Sequence, residues 1–125
     1  MNEIVNPSQK PAAGRVEQAL LYDFYGELLT EHQKEIYEQF VLEDLSLSEI
    51  AAEEGISRQG VHDLIKRCHK ILTGYEEKLH LVEKFLLIKE NVHQIGECLD
   101  HYDGNNADEM IDEVRRISEI IIEEL

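Results

Sequence analysis

The stretch from Glu43 to Ile71, EDLSLSEIAAEEGISRQGVHDLIKRCHKI, decides how this chain is read. Ser46 stands three residues before Glu49. At that spacing a Ser hydroxyl accepts the third amide of a helix while the Glu side chain answers the cap's own amide. The short helix so opened carries Leu47, Ile50 and Ala51 on its inner side. Gly55 follows at once, where a left-handed residue ends a helix and turns the chain sharply. Ile56 is expected to pack into the corner. Ser57 then caps a second helix on which Val61, Leu64, Ile65 and Cys68 recur at intervals of three and four. A short helix, a Gly turn and a second helix with a buried valine make a helix-turn-helix.

Upstream, Thr30 and Gln33 repeat the capping-box pattern and open a helix with Ile36, Tyr37 and Phe40 facing inward. Before it, Val16, Leu20, Phe24 and Leu28 predict a first amphipathic helix of about 13 residues beginning near Arg15. Residues 1–14, with Pro7, Pro11 and Gly14, show no apolar period and read as a flexible tail. Downstream of Thr73 and Gly74, a long helix is expected. Its Leu81, Phe85, Ile88, Val92, Ile95, Leu99 and Tyr102 are spaced 4, 3, 4, 3, 4, 3, a heptad seam that calls for a helical partner. Asp103 and Gly104 break it, and Asn105 or Asn106 caps a last helix with Met110, Val114, Ile117 and Ile121 on one face. The short turn predicts an antiparallel hairpin. Ile111, Ile120 and Ile122 widen its apolar face beyond what one partner helix covers, which points to self-association. The expected architecture is all-α: a tail over 1–14, a helix-turn-helix domain over 15–72 and a helical hairpin over 75–125. The hairpin would dimerise through Phe85, Ile88, Val92, Ile95, Leu99, Ile117 and Ile121.

Charge narrows the function. Twelve Lys and Arg against 27 Asp and Glu leave a formal −15 over 125 residues, which excludes indiscriminate coating of nucleic acid by bulk attraction. The charge is uneven. Residues 15–54 hold two cations and eleven acids, and residues 73–125 hold five and fourteen. Residues 55–72 hold Arg58, Lys66, Arg67 and Lys70 against Asp63 alone, a window of +3 in an acidic chain. No apolar run approaches the roughly 18 residues that span a bilayer, and the start MNEIVNPSQKPAAG lacks the order of a signal peptide, so a cytoplasmic protein is expected. Cys68 and Cys98 are then expected as reduced thiols.

The run from Leu29 to Lys70 resembles the helix-turn-helix of the fourth region of bacterial sigma factors. The chain as a whole is similar to the YlxM family of small bacterial helix-turn-helix proteins. The residues that carry the likeness lie in LYDFYGELLTEHQ (Leu21–Gln33), in Leu45–Ala51, and at Gly55, Ser57, Arg58, Gln59, Val61 and Lys66. The resemblance implies a cytoplasmic regulatory role in or near the signal recognition particle pathway, on grounds of gene neighbourhood with the particle's GTPase. Gly60, His62 and Asp63 depart from the usual pattern. Gly costs about 1 kcal/mol of helix propensity against Ala, and an acid at 63 repels phosphate.

The candidate site is the exposed side of the second motif helix: Arg58, Gln59, His62, Lys66, Arg67 and Lys70. Arg58 and Gln59 would read base edges in a major groove, while Lys66, Arg67 and Lys70 would hold the DNA backbone. On the structured RNA of the particle the same cations would grip phosphates, since an RNA major groove is too narrow for side-chain readout. The plainer reading is a solvated face whose cations complement the C-terminal end of the helix dipole. A second class of function is a protein-binding adaptor whose acidic surface docks on a basic partner such as the particle's GTPase. Cys98 and His101 lie three apart on one helical face with His93 upstream, but the sequence supplies no fourth ligand, and no metal or other cofactor is expected. A nucleophile elbow, a Gly-rich phosphate loop and the HExxH and DxD spacings are all missing, so no enzyme is expected.

Overall fold

The computed structural model describes residues 12–125, so residues 1–11 of the expected tail lie outside it. Six α-helices follow one another: α1 (Ala12–Tyr25), α2 (Glu31–Val41), α3 (Leu47–Glu54), α4 (Arg58–Leu79), α5 (Leu81–Asp100) and α6 (Ala107–Glu124). The described residues divide into two compact units, which part between His80 and Leu81.

In the first unit the caps stand where the spacing predicts them. The Thr30 hydroxyl accepts from Gln33 N (3.2 Å) while Thr30 N donates to the Gln33 side chain (2.9 Å). Ser46 and Glu49 repeat the exchange at 3.1 and 2.8 Å. Gly55 ends α3 in the left-handed region (φ 72°), and Ser57 caps α4 by accepting from Gly60 N at 2.9 Å. Gly60 has a local reason as well: a Cβ there would sit 3.1 Å from the Ser57 hydroxyl that caps the helix. The core joins Ile36, Tyr37 and Phe40 of α2 and Leu47 and Ile50 of α3 to Val61, Ile65, Cys68 and Leu72 of α4, all essentially buried. Ile56 stays partly exposed instead of closing the corner.

Two expectations are corrected here. The buried side of α1 is Gly14, Gln18, Leu21 and Tyr25, while Val16 is 64% exposed and Phe24 and Leu28 are also exposed. The sequence carries two stripes at helical spacing, and the one holding Tyr25 wins. That ring stacks on Tyr75 of α4 (centroids 6.0 Å apart) and its hydroxyl donates to Glu76 at 2.6 Å. The helix also begins at Ala12, ahead of Arg15. The second correction concerns Thr73 and Gly74, read as the end of the first domain. α4 runs through both to Leu79 and ends at His80 in the left-handed region (φ 56°). Packing of Leu72, Tyr75 and Glu76 outweighs the roughly 1 kcal/mol that a helical glycine costs.

The second unit is the expected helical hairpin, and α5 pairs with α6. Val82, Asn91 and Ile117 are its buried residues. The stripe of α5 that meets α6 runs through Asn91, Gln94 and Cys98, not through the heptad series. At about 100° per residue, the heptad stripe is rotated away by roughly the step of one residue. Ile88 and Ile95 are half-buried at its near edge, and Phe85, Val92 and Leu99 remain exposed. The turn is held by Asp103, whose carboxylate accepts from Asn105 N (2.8 Å) and Asn106 N (3.1 Å). Asn106 precedes α6, but its side chain makes no cap bond to the helix and instead accepts from Asp103 N at 3.1 Å.

Two glycines give opposite expectations in urea denaturation. Gly55→Ala should destabilise the protein by about 1–2 kcal/mol, because φ is positive there. Gly74→Ala should stabilise it by about 0.5–1 kcal/mol, because the helix continues and a Cβ at Gly74 meets nothing within 4 Å.

Candidate nucleic-acid interface

The inner residues of α4 fix what its other side offers. Val61, Ile65, Cys68 and Leu72 face the core, so Arg58, Gln59, Lys66, Arg67 and Lys70 are exposed. At about 100° per residue, Arg58, His62, Lys66, Gln59 and Lys70 share a stripe roughly 120° wide, with Arg67 about 60° beyond it. His62 is half-buried and faces the Asp63 carboxylate, Nδ1 to Oδ1 3.4 Å. The structure therefore brings five of the six expected residues onto one face and places Arg67 at its flank.

The two ends of that face differ in electrostatics. At its start Asp63 accepts from Gln59 Nε2 at 2.9 Å, and the Gln59 hydrogen bond and then the His62 contact hold its carboxyl below the usual range. Gln59 is thus oriented by an i, i+4 pair and keeps its carbonyl oxygen for a donor. Further along, Lys66, Arg67 and Lys70 make no ion pair or hydrogen bond among the described residues, in a chain with 27 acids. Arg67 is within electrostatic reach of the exposed Asp63 carboxylate, one turn before it.

The length of α4 removes the helix dipole as an explanation for them. Helix-dipole attraction is confined to the last turn. α4 ends at Leu79, and Lys78 is the cation of its last turn. Lys66, Arg67 and Lys70 sit in the middle of the helix, where the dipole offers them nothing.

His69 marks where the face stops. By angle it falls on the Arg58–His62 side, yet it is buried and its Nδ1 has no hydrogen-bond partner among the described residues. Sequence reasoning missed it because nothing local shows that α1 lies over that part of α4; the nearby Glu17 carboxylate of α1 reports the contact. Burial pushes the His69 pKa down, and Glu17 offsets part of the shift.

An all-α chain whose α3, Gly55 turn and α4 form this arrangement is a helix-turn-helix protein. It belongs to the family described as "Putative helix-turn-helix protein, YlxM / p13 like", whose model matches residues 13–114. It is 44% identical over 102 residues to a UPF0122 protein of Clostridium kluyveri, covering 81% of this chain and 91% of that one. A UPF0122 protein of Desulforamulus reducens is 43% identical over 104 residues, covering 83% and 89%. One from Caldanaerobacter subterraneus subsp. tengcongensis is 51% identical over 80 residues, covering 64% and 68%. No solved structure matches. No helix among the described residues is long and apolar enough to cross a membrane.

The buried imidazole predicts a pH dependence. A histidine whose folded pKa is depressed below its ordinary 6.5 binds its proton more readily when unfolded. Its contribution is therefore complete above about pH 6.5 and declines as the pH falls below that value. Urea unfolding followed from pH 8 to pH 5 should show this loss, and His69→Leu should flatten it.

Proposed function

We propose that this is a nucleic-acid-binding regulatory protein of the cytoplasm that presents α4 to a DNA major groove. The observation that carries the reading is the exposed trio Lys66, Arg67 and Lys70 in the middle of α4, where the helix dipole does not account for it and where Arg67 has only the exposed Asp63 as an acid neighbour. In such docking Arg58 and the Gln59 amide at the helix start meet base edges, and the trio holds phosphates. The acidic remainder repels other duplex contacts, so affinity is confined to one face. Involvement in the signal recognition particle pathway rests on the YlxM resemblance and its gene neighbourhood. If the ligand is the particle's RNA, the same trio contacts phosphates without base readout.

A homodimer belongs to this reading. Val92 and Leu99 are each 54% exposed on the heptad stripe of α5, beside Leu86, and Ile111 and Ile122 are exposed on α6. An apolar stripe at heptad spacing left uncovered by its own hairpin suits a second copy. Ile117 serves the hairpin's own interior, whereas Phe85, Val92 and Leu99 carry the partner surface. A dimer then bears two copies of α4, as paired half-sites require.

Lys66→Glu with Arg67→Glu should abolish retention of fragmented genomic DNA and of the particle's RNA in gel-shift titrations, with an unchanged circular dichroism spectrum. Unaltered retention would remove the proposal and favour an adaptor that works through its acidic surface. Sedimentation at micromolar concentration should report a dimer for the natural chain and a monomer for Val92→Glu with Leu99→Glu; a monomer for both would sink the dimer.

A further inference from the structure

α1 carries two apolar stripes, and the core of the first unit uses one of them. With Leu21 and Tyr25 turned inward, Val16 is 64% exposed, Phe24 is exposed and Leu20 is half-buried. At about 100° per residue these three fall within roughly 80° of one another on the outer side of the helix. Leu28, at the end of the single 3-10 turn Gly26–Leu28 that follows α1, is exposed as well. Apolar side chains exposed singly are ordinary on a protein surface, but a run of them at intervals of four outlines a contact with another helix. Neither the cations of α4 nor the heptad stripe of α5 shares any of these residues.

The charges around this stripe have one sign. Asp23 lies about 20° outside Val16 and Glu17 about 20° outside Phe24, so an exposed acid borders the stripe on either side. Neither acid makes a hydrogen bond or ion pair among the described residues. Glu17 is within electrostatic reach of His69, but burial favours the neutral form of that ring, so no cation there offsets the carboxylate. Arg15, the cation of α1, stands about 100° away from Val16 and pairs with Asp44 at 3.3 Å. Glu27, in the turn that follows, is held by Lys34 at 3.1 Å and adds little to the border. The outer face of α1 is thus an apolar strip between two acidic edges.

We propose that the outer face of α1 is a docking surface for an amphipathic helix of a partner protein, one whose apolar stripe is bordered on both sides by Lys or Arg. Apolar side chains of that helix, at intervals of three and four, cover Val16, Leu20 and Phe24. Its bordering cations meet Asp23 on one edge and Glu17 on the other, the arrangement by which flanking charges select the partner of a paired helix. The same edges turn away a second copy of this chain, because acids would face acids whichever way the two helices ran. They repel a nucleic-acid backbone for the same reason. The first unit then has two faces of opposite sign, a basic one on α4 and an acidic, partly apolar one on α1.

The probe is a fluorescein-labelled synthetic helix of leucine and lysine, with leucines at intervals of three and four, titrated with the full chain at physiological salt and followed by anisotropy. Binding should saturate, and the counterpart peptide with glutamate in place of lysine should not bind. Val16→Ser with Phe24→Ser leaves every charge in place and should weaken binding by about 10-fold or more. Glu17→Lys with Asp23→Lys changes two exposed positions and should weaken it by about as much, with an unchanged circular dichroism spectrum. Lys66→Glu with Arg67→Glu should bind the peptide at least as well as the natural chain does, which separates this surface from the nucleic-acid face. Absence of saturable binding, or binding that both α1 variants retain, overturns the proposal. Loss of a dimer in sedimentation of Val16→Ser with Phe24→Ser also overturns it, since the face would then belong to a second copy.

Discussion

Burial of one face of α4 is the constraint on which the first unit depends. Val61, Ile65, Cys68 and Leu72 are fully enclosed, and α1, α2 and α3 all pack against this helix. Enclosing each of the larger apolar side chains contributes about 1.5–3 kcal/mol, so the rotation of α4 about its axis is set by several such terms acting together. Once that rotation is fixed, so is the face of the unit from which Arg58, Lys66 and Lys70 project. The basic face is a consequence of the core, and a change in the core that rolled the helix would move every cation with it.

The neighbours of α4 pay a polar toll for this arrangement. Gln39 of α2 is buried and donates to Glu54 of α3 at 2.8 Å, and Tyr25 of α1 donates to Glu76 of α4. Each of these contacts ties an acid to a neutral donor rather than to a cation. Arg15, the cation of α1, lies 3.3 Å from Asp44 in the α2–α3 loop and so is spent on the fold. The distribution of partners, more than the net charge, makes the second motif helix the basic surface of the unit.

What the sequence made legible was local chemistry. Both capping boxes, the left-handed Gly55 and the Ser57 cap are decided within four residues, and all four stand in the structure as their spacing implies. Where two solutions competed over distance, spacing could not choose. α1 offers Val16, Leu20, Phe24 and Leu28 on one side and Leu21 and Tyr25 on another, and the choice rests with Tyr75 and Glu76, some fifty residues away. Gly74 looked like a stop because propensity is local, whereas the packing that carries α4 past it is not. The basic residues were legible for the same reason as the caps, since they cluster in one window. The burial of His69 was not, because it needs α1 to lie across α4.

The hairpin shows the same limit in a form that bears on assembly. A heptad series states that a partner exists but not which helix supplies it. In this unit α6 takes the stripe of α5 through Asn91 and Cys98, a polar and a small residue, and leaves Val92 and Leu99 outside. A helix pair closing only on itself would be expected to bury its most apolar stripe first, because each enclosed aliphatic side chain contributes more than an amide does. Asn91 satisfies part of its demand by donating to the Leu87 carbonyl at 2.8 Å, so the polar stripe is tolerable inside. Tolerating it gains nothing for an isolated hairpin. It becomes favourable when the apolar stripe is enclosed by something else, and that inversion of the ordinary preference is the physical ground of the proposed dimer.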